Sequence, residues 1–278
     1  MRLRSFQTKL TNVLALLTCY CALPAARAAD DTPEANAPVA DQQSESIYLI
    51  GNSLTWDTLP GLLDGQVMWH VDCGKNLRFI HEHPEQPCVK TSTPWPEALR
   101  NKQFDVLCVQ PHFGTHLEED AKIISDWVAL QKEPVRLVIH TGWNRHAHFR
   151  EHYKHTPEAE SCPMIHAPTY FERLQQRLRE KHPKLKITST RAIEVLNTIC
   201  HDIEQKAAPI SDLKELYRDE IHVTTQGGRY LMHNLMRVAI GQEVSDRGFQ
   251  VAEPLRGYLR KKITHAQKLR SARLVSTQ

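Results

Sequence analysis

Short apolar runs alternate with amphipathic stretches along this chain. Runs rich in branched and large apolar residues predict strands over residues 47–50, 77–80, 105–109, 136–140 and 186–190. Helical spacing of apolar residues predicts helices over residues 59–69, 95–100, 118–131, 170–181, 191–205 and 225–240, the last ending near Gly241. Because strands that alternate with helices favour a parallel sheet covered on both faces, we expect an α/β fold, a three-layer α/β/α sandwich with about five strands.

The N-terminus has the pattern of a secretory signal. Basic residues precede an apolar run over residues 13–23, and Ala26 and Ala28 form a small-residue cleavage site. This pattern predicts a signal peptide over residues 1–28 and export to the periplasm or the extracellular space. No second apolar run is long enough to span a bilayer, so we expect no stable membrane insertion after cleavage.

Composition divides the rest of the chain into three parts. Residues 29–46 are rich in Ala, Pro, Asp, Glu, Gln and Ser, which predicts a disordered linker. Residues 47–254 are long enough for one α/β domain with its own core. Residues 255–278 gather Lys and Arg without an acidic residue and are predicted to be a basic C-terminal tail. The formal net charge of +3 is too small to indicate a nucleic-acid partner.

The cysteines of the predicted mature chain are odd in number. For an exported protein this predicts at least one thiol that is free or paired between chains. Cys73 and Cys88 flank a short segment, and a disulfide between them is compatible with an oxidising compartment. Cys108 lies in an apolar strand and is expected in the core.

A small polar residue stands directly after the first predicted strand, in the sequence Gly51-Asn52-Ser53. In an open parallel sheet, ligands bind outside the carboxyl ends of the strands. Ser53 is therefore expected at that edge, near the N-terminus of the next helix, where backbone N–H groups favour developing negative charge. Asp57, a few residues later, is assigned to helix capping and the helix dipole.

A base and an acid for this serine occur near the other end of the chain. Asp219 and His222 are three residues apart, immediately before the last predicted helix. This spacing lets the carboxylate fold back to imidazole Nδ1 and leaves Nε2 free to face a hydroxyl. We predict that Ser53 is a nucleophile, that His222 transfers its proton and that Asp219 orients His222.

These two motifs resemble those of the SGNH or GDSL hydrolase superfamily. The family's Gly-Asp-Ser-Leu motif appears as Gly51-Asn52-Ser53-Leu54, and its Asp-x-x-His motif matches Asp219 to His222. The resemblance runs from residue 47 to about residue 240. It implies a flavodoxin-like fold and hydrolysis of esters, often acetyl esters on carbohydrates, with neither metal nor other cofactor.

The oxyanion hole departs from the family pattern. The backbone N–H of Ser53 is the first predicted donor, and Gly74 resembles the glycine that supplies the second. The family's Gly-x-Asn-Asp after the third strand is missing, since this chain has Leu-Cys-Val-Gln-Pro-His there. Gln110 is the favoured replacement, and Asn144, after the next predicted strand, is the competitor.

Residues 140–166 carry many histidines and are called the histidine-rich insertion below. No Cys pair or His-Glu-x-x-His motif accompanies them, so we predict no metal site. A polar loop over the carboxyl edge of the sheet is expected instead, as substrate-binding loops are placed. The residues proposed to contact substrate are Asn52, Trp56, His112, Trp143 and Asn144.

The sequence therefore predicts an exported serine esterase that acts on a small-molecule or polysaccharide ester through an acyl-enzyme. Two other classes stay open. One is an acyltransferase that passes the acyl group to a sugar hydroxyl, and the other is a non-catalytic carbohydrate-binding protein of the same fold. Residue patterns leave the acyl chain length, the alcohol portion and the oligomeric state undecided.

Overall fold

A computed structural model describes residues 44–156 and 163–275, with side chains as far as residue 268. The predicted signal peptide, most of the predicted linker and Cys162 lie outside these ranges. Within them, no helix combines the length and the apolar character that crossing a membrane requires.

The sheet has five parallel strands in the order β2-β1-β3-β4-β5, as predicted for a flavodoxin-like α/β fold. The strands are β1 (Ser46–Gly51), β2 (Gln66–Val71), β3 (Val106–Val109), β4 (Arg136–Ile139) and β5 (Lys186–Ser189). From β1 the chain goes to β2 on one side and then to β3 on the other. The strand order therefore reverses at β1, and a cleft opens beyond its carboxyl end.

Helices cover both faces of this sheet. They are α1 (Ser53–Asp57), α2 (Leu77–Glu82), α3 (Trp95–Asn101), α4 (Leu117–Ala129), α5 (Phe149–Tyr153), α6 (Pro168–Lys181), α7 (Ala192–Glu204), α8 (Gly227–Ile240) and α9 (Leu255–Val275). Alternate residues of β1 serve the two faces: Ile47 and Leu49 pack with α8, and Tyr48 and Ile50 belong to the core that includes α4 and α6. The layers thus form the expected α/β/α sandwich.

Two predicted elements are wrong, and both lie between β1 and α3. Residues 59–69 do not form a helix, because a 3-10 turn at Pro60–Leu62 and Gly65 with φ of 105° lead into β2. Residues 77–80 are not a strand but belong to α2, whose N-cap Asn76 accepts a hydrogen bond from the Phe79 N–H. The other helices of the sequence prediction begin and end within two residues of the observed bounds.

The domain extends beyond the predicted boundaries at both ends. β1 begins at Ser46, which the composition assigned to the linker. The basic segment from residue 255 forms α9, which packs against α8 and buries Leu259, Ile263 and Ala266. These three residues therefore belong to the core, while Arg256, Arg260, Lys261 and Lys268 are exposed.

Candidate active site

The turn after β1 is built by the side chain of Asn52. Its Oδ1 accepts the N–H of Leu54 (3.0 Å), which caps α1, and its Nδ2 donates to the carbonyl of Lys75 (3.0 Å). Asn52 is fully buried and both ends of its amide are engaged. It therefore supports the Ser53 turn and joins it to the loop after β2, a role that the sequence analysis did not assign to it.

Gln110, at the end of β3, holds the same turn from the other side. Its Oε1 accepts the N–H of Asn52 (3.2 Å), the N–H of Thr55 (3.0 Å) and the hydroxyl of Thr55 (2.8 Å). Because two of these donors are backbone N–H groups, they also fix which end of the amide is oxygen. The buried Nε2 is left without a partner among the described residues, so one donor beside the turn is unused.

Gly51 makes this close approach possible. A Cβ at this position would lie 2.2 Å from Thr55 Oγ1 and 2.8 Å from Gln110 Cβ. Any side chain there would push Gln110 away from the Ser53 turn. The glycine of the Gly-Asn-Ser motif is thus explained by packing against β3.

The segment of residues 217–223, called the acid–base loop below, carries Asp219 and His222. Its ends are joined by a bridge between Tyr217 and Val223, and the N–H of Arg218 donates to the His222 carbonyl (2.9 Å). Asp219 Oδ1 accepts the N–H groups of Ile221 (3.0 Å) and His222 (2.7 Å). This tight turn presents both side chains on the same side.

The structure brings the three predicted residues into one hydrogen-bonded chain. His222 Nε2 lies 2.9 Å from Ser53 Oγ, and His222 Nδ1 lies 2.9 Å from Asp219 Oδ2. An ionised carboxylate only accepts, so Nδ1 carries the proton and Nε2 accepts the serine hydroxyl. His222 is 28% exposed and Asp219 is 50% exposed, so solvent reaches the acid–base pair.

The loop also sets the charge of Asp219. Its partial burial would raise its pKa, but the N–H groups of His222 and Ile221 and the imidazole together lower the pKa to about 2. Asp219 is therefore a carboxylate throughout the physiological pH range. A negative charge at Nδ1 favours the imidazolium that forms when His222 takes a proton.

Gly74 lies in the loop after β2 with φ of 70°, a conformation that favours glycine. The Cys73–Cys88 disulfide is present and anchors this loop, as the spacing suggested. The N–H of Gly74 takes part in none of the loop and turn hydrogen bonds of the described chain. Ser53 begins α1, so its N–H has no intrahelical acceptor. Ser53 directly follows Asn52 and Gly74 directly precedes Lys75, so the hydrogen bond from Asn52 to Lys75 joins the two segments that carry these N–H groups.

The described part of the histidine-rich insertion, residues 140–156 and 163–166, contacts the acid–base loop. Trp143 is fully buried and its indole N–H donates to the Ile221 carbonyl (2.6 Å), so it is not free to stack on substrate as predicted. Asn144 is also fully buried, and its Nδ2 donates to the His166 carbonyl (2.6 Å). The competitor to Gln110 is thus engaged in holding the insertion together.

The insertion histidines are engaged in local contacts. His146 packs edge-on against Tyr217, His148 stacks on His152, and His152 Nδ1 lies 3.2 Å from Asn144 Oδ1. Across the ranges the structure describes, no set of three or more His, Cys, Asp and Glu side chains converges as metal ligands do. The arrangement is that of a packed polar loop.

Two of the predicted substrate contacts lie near the surface. Trp56 follows Ser53 by one helical turn, is half-buried and packs edge-on against Trp69 with 5.7 Å between ring centroids. His112 follows β3, with its ring 5.4 Å from that of His166. Burial lowers the pKa of His112 to about 4, so it is neutral at pH 7.

The sequence assignment of Asp57 is wrong. Asp57 is the last residue of α1, and its fully buried carboxylate accepts hydrogen bonds from Arg218, Arg229 and the N–H of Val223. It therefore connects the helix of Ser53 to the acid–base loop. The sequence places an arginine directly before Asp219 and an acid one turn after Ser53, but nothing local indicates that the two meet.

No protein-family model matches the sequence, and no curated protein matches it. Among solved structures, it is similar to a DUF4886 family protein from Bacteroides uniformis, with 14% identity and a TM-score of 0.46 over 80% of this chain and 92% of the other. It is also similar to a member of the lipolytic protein G-D-S-L family from Veillonella parvula, with 11% identity and a TM-score of 0.39 over 68% of this chain and 94% of the other.

Proposed function

We propose that this protein is an exported serine esterase of the SGNH type that hydrolyses short-chain carboxylic esters. The observation that carries the proposal is the contact between Ser53 Oγ and His222 Nε2 at 2.9 Å, with His222 Nδ1 held by Asp219. A serine hydroxyl becomes a useful nucleophile when a positioned base accepts its proton. The neutral imidazole faces Ser53 with its free lone pair, which is the state that the first step requires.

In this mechanism, Ser53 Oγ attacks the ester carbonyl while His222 Nε2 takes the hydroxyl proton. The tetrahedral intermediate collapses, the alcohol leaves with the proton from His222, and the acyl group stays on Ser53. His222 then removes a proton from water as the water attacks the acyl-enzyme; the second tetrahedral intermediate collapses, Ser53 Oγ leaves with the proton from His222, and the carboxylic acid is released. Asp219 stays ionised and stabilises the imidazolium in both halves.

The oxyanion needs donors that converge on the carbonyl oxygen. We assign the backbone N–H groups of Ser53 and Gly74 and the Nε2 of Gln110 to this role. Gln110 is supported by its anchored Oε1 and by the absence of any partner for Nε2 among the described residues. A buried amide N–H without a partner costs free energy, and a substrate oxyanion would remove that cost.

The solvent exposure of the acid–base pair supports hydrolysis over acyl transfer. His222 is 28% exposed and Asp219 is 50% exposed, so water reaches the position from which the acyl-enzyme is attacked. An O-acetylated polysaccharide is the substrate class to test first. Its acetyl group needs only a small acyl pocket. The half-buried ring of Trp56, one turn after Ser53, provides a surface on which a sugar ring can stack.

The direct test is hydrolysis of p-nitrophenyl esters from acetate to octanoate by the purified protein, beside Ser53→Ala and His222→Ala. Loss of turnover in both variants, with a preference for acetate, is expected. A fluorophosphonate probe is expected to label the wild type and not Ser53→Ala.

Three outcomes would contradict parts of the proposal. Turnover that survives Ser53→Ala excludes the serine mechanism. Labelling of Ser53 without hydrolysis, but with transfer to an added sugar acceptor, identifies an acyltransferase. Carbohydrate binding without labelling or turnover identifies a binding protein.

A further inference from the structure

Asp57 is a buried acid that lies outside the proposed chemistry. Its side chain is 1% exposed, and it meets the guanidinium groups of Arg218 from the acid–base loop and Arg229 from α8. Arg229 Nε and Nη2 lie 2.9 Å and 2.7 Å from Oδ1, and Arg218 Nη1 lies 3.0 Å and 3.1 Å from the two carboxylate oxygens. The carboxylate is therefore fully paired despite its burial.

Asp57 also contacts both ends of the acid–base loop. Arg218 directly precedes Asp219, and Val223, whose N–H donates to Asp57 Oδ2 (3.1 Å), directly follows His222. Arg218 Nη1 additionally donates to the Val223 carbonyl, so the two ends are tied to each other as well as to Asp57. The residues between them, Asp219 and His222 among them, are thus held from both sides by one carboxylate.

The carboxylate stands on the same helix as the proposed nucleophile. Ser53 begins α1 and Asp57 ends it, about one turn apart, so the two side chains move together. Ser53 and His222 come from segments 169 positions apart, and only contacts between segments can fix the distance between them. Asp57 accepts three such hydrogen bonds from the acid–base loop, two from the Arg218 side chain and one from the Val223 N–H, and two more from Arg229 of α8.

We propose that Asp57 is a positioning residue that holds the acid–base loop against α1, and so keeps His222 Nε2 within hydrogen-bond distance of Ser53 Oγ. Asp57 does not touch the reacting atoms and acts through Arg218 and Val223. The inference rests on the proposed serine mechanism for its effect on rate. Its structural part, the placement of His222, does not depend on any substrate.

The test compares Asp57→Asn, Arg218→Gln and Arg229→Gln with the wild type. Arg218→Gln removes the side-chain contact to the loop and leaves the Asp57–Arg229 pair, whereas Arg229→Gln does the reverse. Asp64→Asn is the matched control. Asp64 also meets two arginines, Arg237 and Arg247, but it precedes β2, at the amino edge of the sheet.

Two readouts are needed. The first is kcat and KM for p-nitrophenyl acetate, corrected for the folded fraction. The second is the proton NMR signal of the His222 Nδ1–H that is shared with Asp219, assigned by its loss in a His222→Gln variant. A purely structural role would change thermal stability and leave both readouts of the folded protein unchanged.

Asp57→Asn and Arg218→Gln are expected to lower kcat at least tenfold, with KM within twofold, and to broaden or shift the His222 signal. Arg229→Gln is expected to have a smaller effect on both. Asp64→Asn is expected to stay within twofold of the wild type with an unchanged signal.

If Asp57→Asn does not fold, Arg218→Gln decides the question, because its side chain is 35% exposed and the buried pair remains. An unchanged kcat and signal in folded Arg218→Gln would overturn the proposal, as would a fall in kcat with a wild-type signal. If the wild type hydrolyses no ester, the proposed function fails, while the His222 signal still decides the placement.

Discussion

The acid–base loop and the histidine-rich insertion place their imidazoles in different environments. In the acid–base loop, His222 is partly exposed and lies between a carboxylate and a hydroxyl. In the histidine-rich insertion, His140 and His166 are fully buried and contact Thr190 and the Trp143 carbonyl. The hydrogen-bond partners and the solvent exposure of an imidazole therefore determine whether it can transfer protons, and the number of histidines nearby does not.

The buried histidines of the insertion also have lowered pKa values. Burial lowers the pKa of His140 to about 4 and that of His166 well below its usual value. Neither ring bonds to a carboxylate within the described chain. Such rings stay neutral and support packing, whereas His222 has an ionised partner that stabilises its charged form.

The largest effect on the acid–base loop is expected from Asp219→Asn. Asparagine keeps one oxygen acceptor but carries no charge, and its NH2 group can face Nδ1 as a donor, so the tautomer is no longer fixed and the imidazolium loses its counter-charge. We expect kcat for p-nitrophenyl acetate to fall by about 10⁴-fold, as in serine hydrolases generally. The matched control is Glu220→Gln, because Glu220 is an exposed neighbour that pairs with Arg145. Similar losses in both variants would contradict the assigned role of Asp219.

The next effect concerns the two candidate oxyanion amides. Gln110→Glu keeps an oxygen acceptor for Thr55 and removes the Nε2 donor, so we expect kcat to fall about 10²- to 10³-fold with little change in KM. Asn144→Asp removes the donor to the His166 carbonyl.

For Asn144→Asp we expect kcat within about threefold of the wild type and a loss of stability of about 1–3 kcal/mol. Chemical denaturation and steady-state kinetics measure the two quantities. A larger rate loss in Asn144→Asp than in Gln110→Glu would reverse the assignment.

The buried histidines predict how stability depends on pH. In the unfolded chain a histidine takes a proton near pH 6.5, whereas folded His70, His140 and His233 do so only at about pH 4, because burial opposes the charge. Between these values the unfolded state binds more protons, so stability is full above about pH 6.5 and is lost as the pH falls toward 4.

Thermal melts across this range are expected to show a falling Tm. The Asp120 carboxyl, whose pKa burial raises to about 7, and the Asp72 carboxyl, whose pKa burial also raises, act in the opposite direction. Asp219, with its pKa near 2, contributes stability that is lost only below about pH 4. A Tm that is constant from pH 7 to pH 4 would contradict this account.

The smallest effects are expected from the exposed histidines of the insertion. His148 stacks on His152 at the surface, so His148→Ala should change stability by less than about 0.5 kcal/mol and leave kcat within twofold. We expect a chelator to leave wild-type turnover unchanged. Turnover that is lost with chelator and restored by zinc would contradict the serine mechanism and would indicate a catalytic metal held by the histidine-rich insertion.

The sheet and the Ser53, Asp219 and His222 set could be predicted because they depend on local patterns. The three central strands, predicted at 47–50, 105–109 and 136–140, are almost entirely buried and read as short apolar runs, whereas the edge strand β5 is only partly buried. Ser53 follows the first of these directly, so the topology fixes its edge. The Asp-x-x-His spacing is short enough for a single turn to bring the carboxylate to imidazole Nδ1, so this contact could be predicted without the fold.

The missed parts depend on contacts that no local pattern records. β2 is an edge strand with half-exposed residues, so its apolar signal is weak. The predicted strand at 77–80 has apolar Leu77 and Ile80 at helical spacing, behind an Asn cap. Trp143 was expected to contact substrate from a polar loop, whereas it is fully buried and its indole N–H donates to the Ile221 carbonyl of the acid–base loop.

The role of Asp57 was missed for the same reason. A helix-capping assignment considers one helix at a time, whereas the partners of Asp57 come from more than 150 positions away. A buried acid between two arginines is a tertiary feature. It becomes visible only when α1, the acid–base loop and α8 are in place.

The long separation between Ser53 and its base has a consequence for the timing of activity. His222, Arg218 and Arg229 all belong to the last part of the domain to be synthesised. In a chain that is still being synthesised or translocated, Ser53 is therefore an unactivated hydroxyl, because neither His222 nor the folded acid–base loop lies beside it. The esterase proposed here would be silent until its C-terminal third has folded, so a chain in transit could not attack the esters of the cell that makes it.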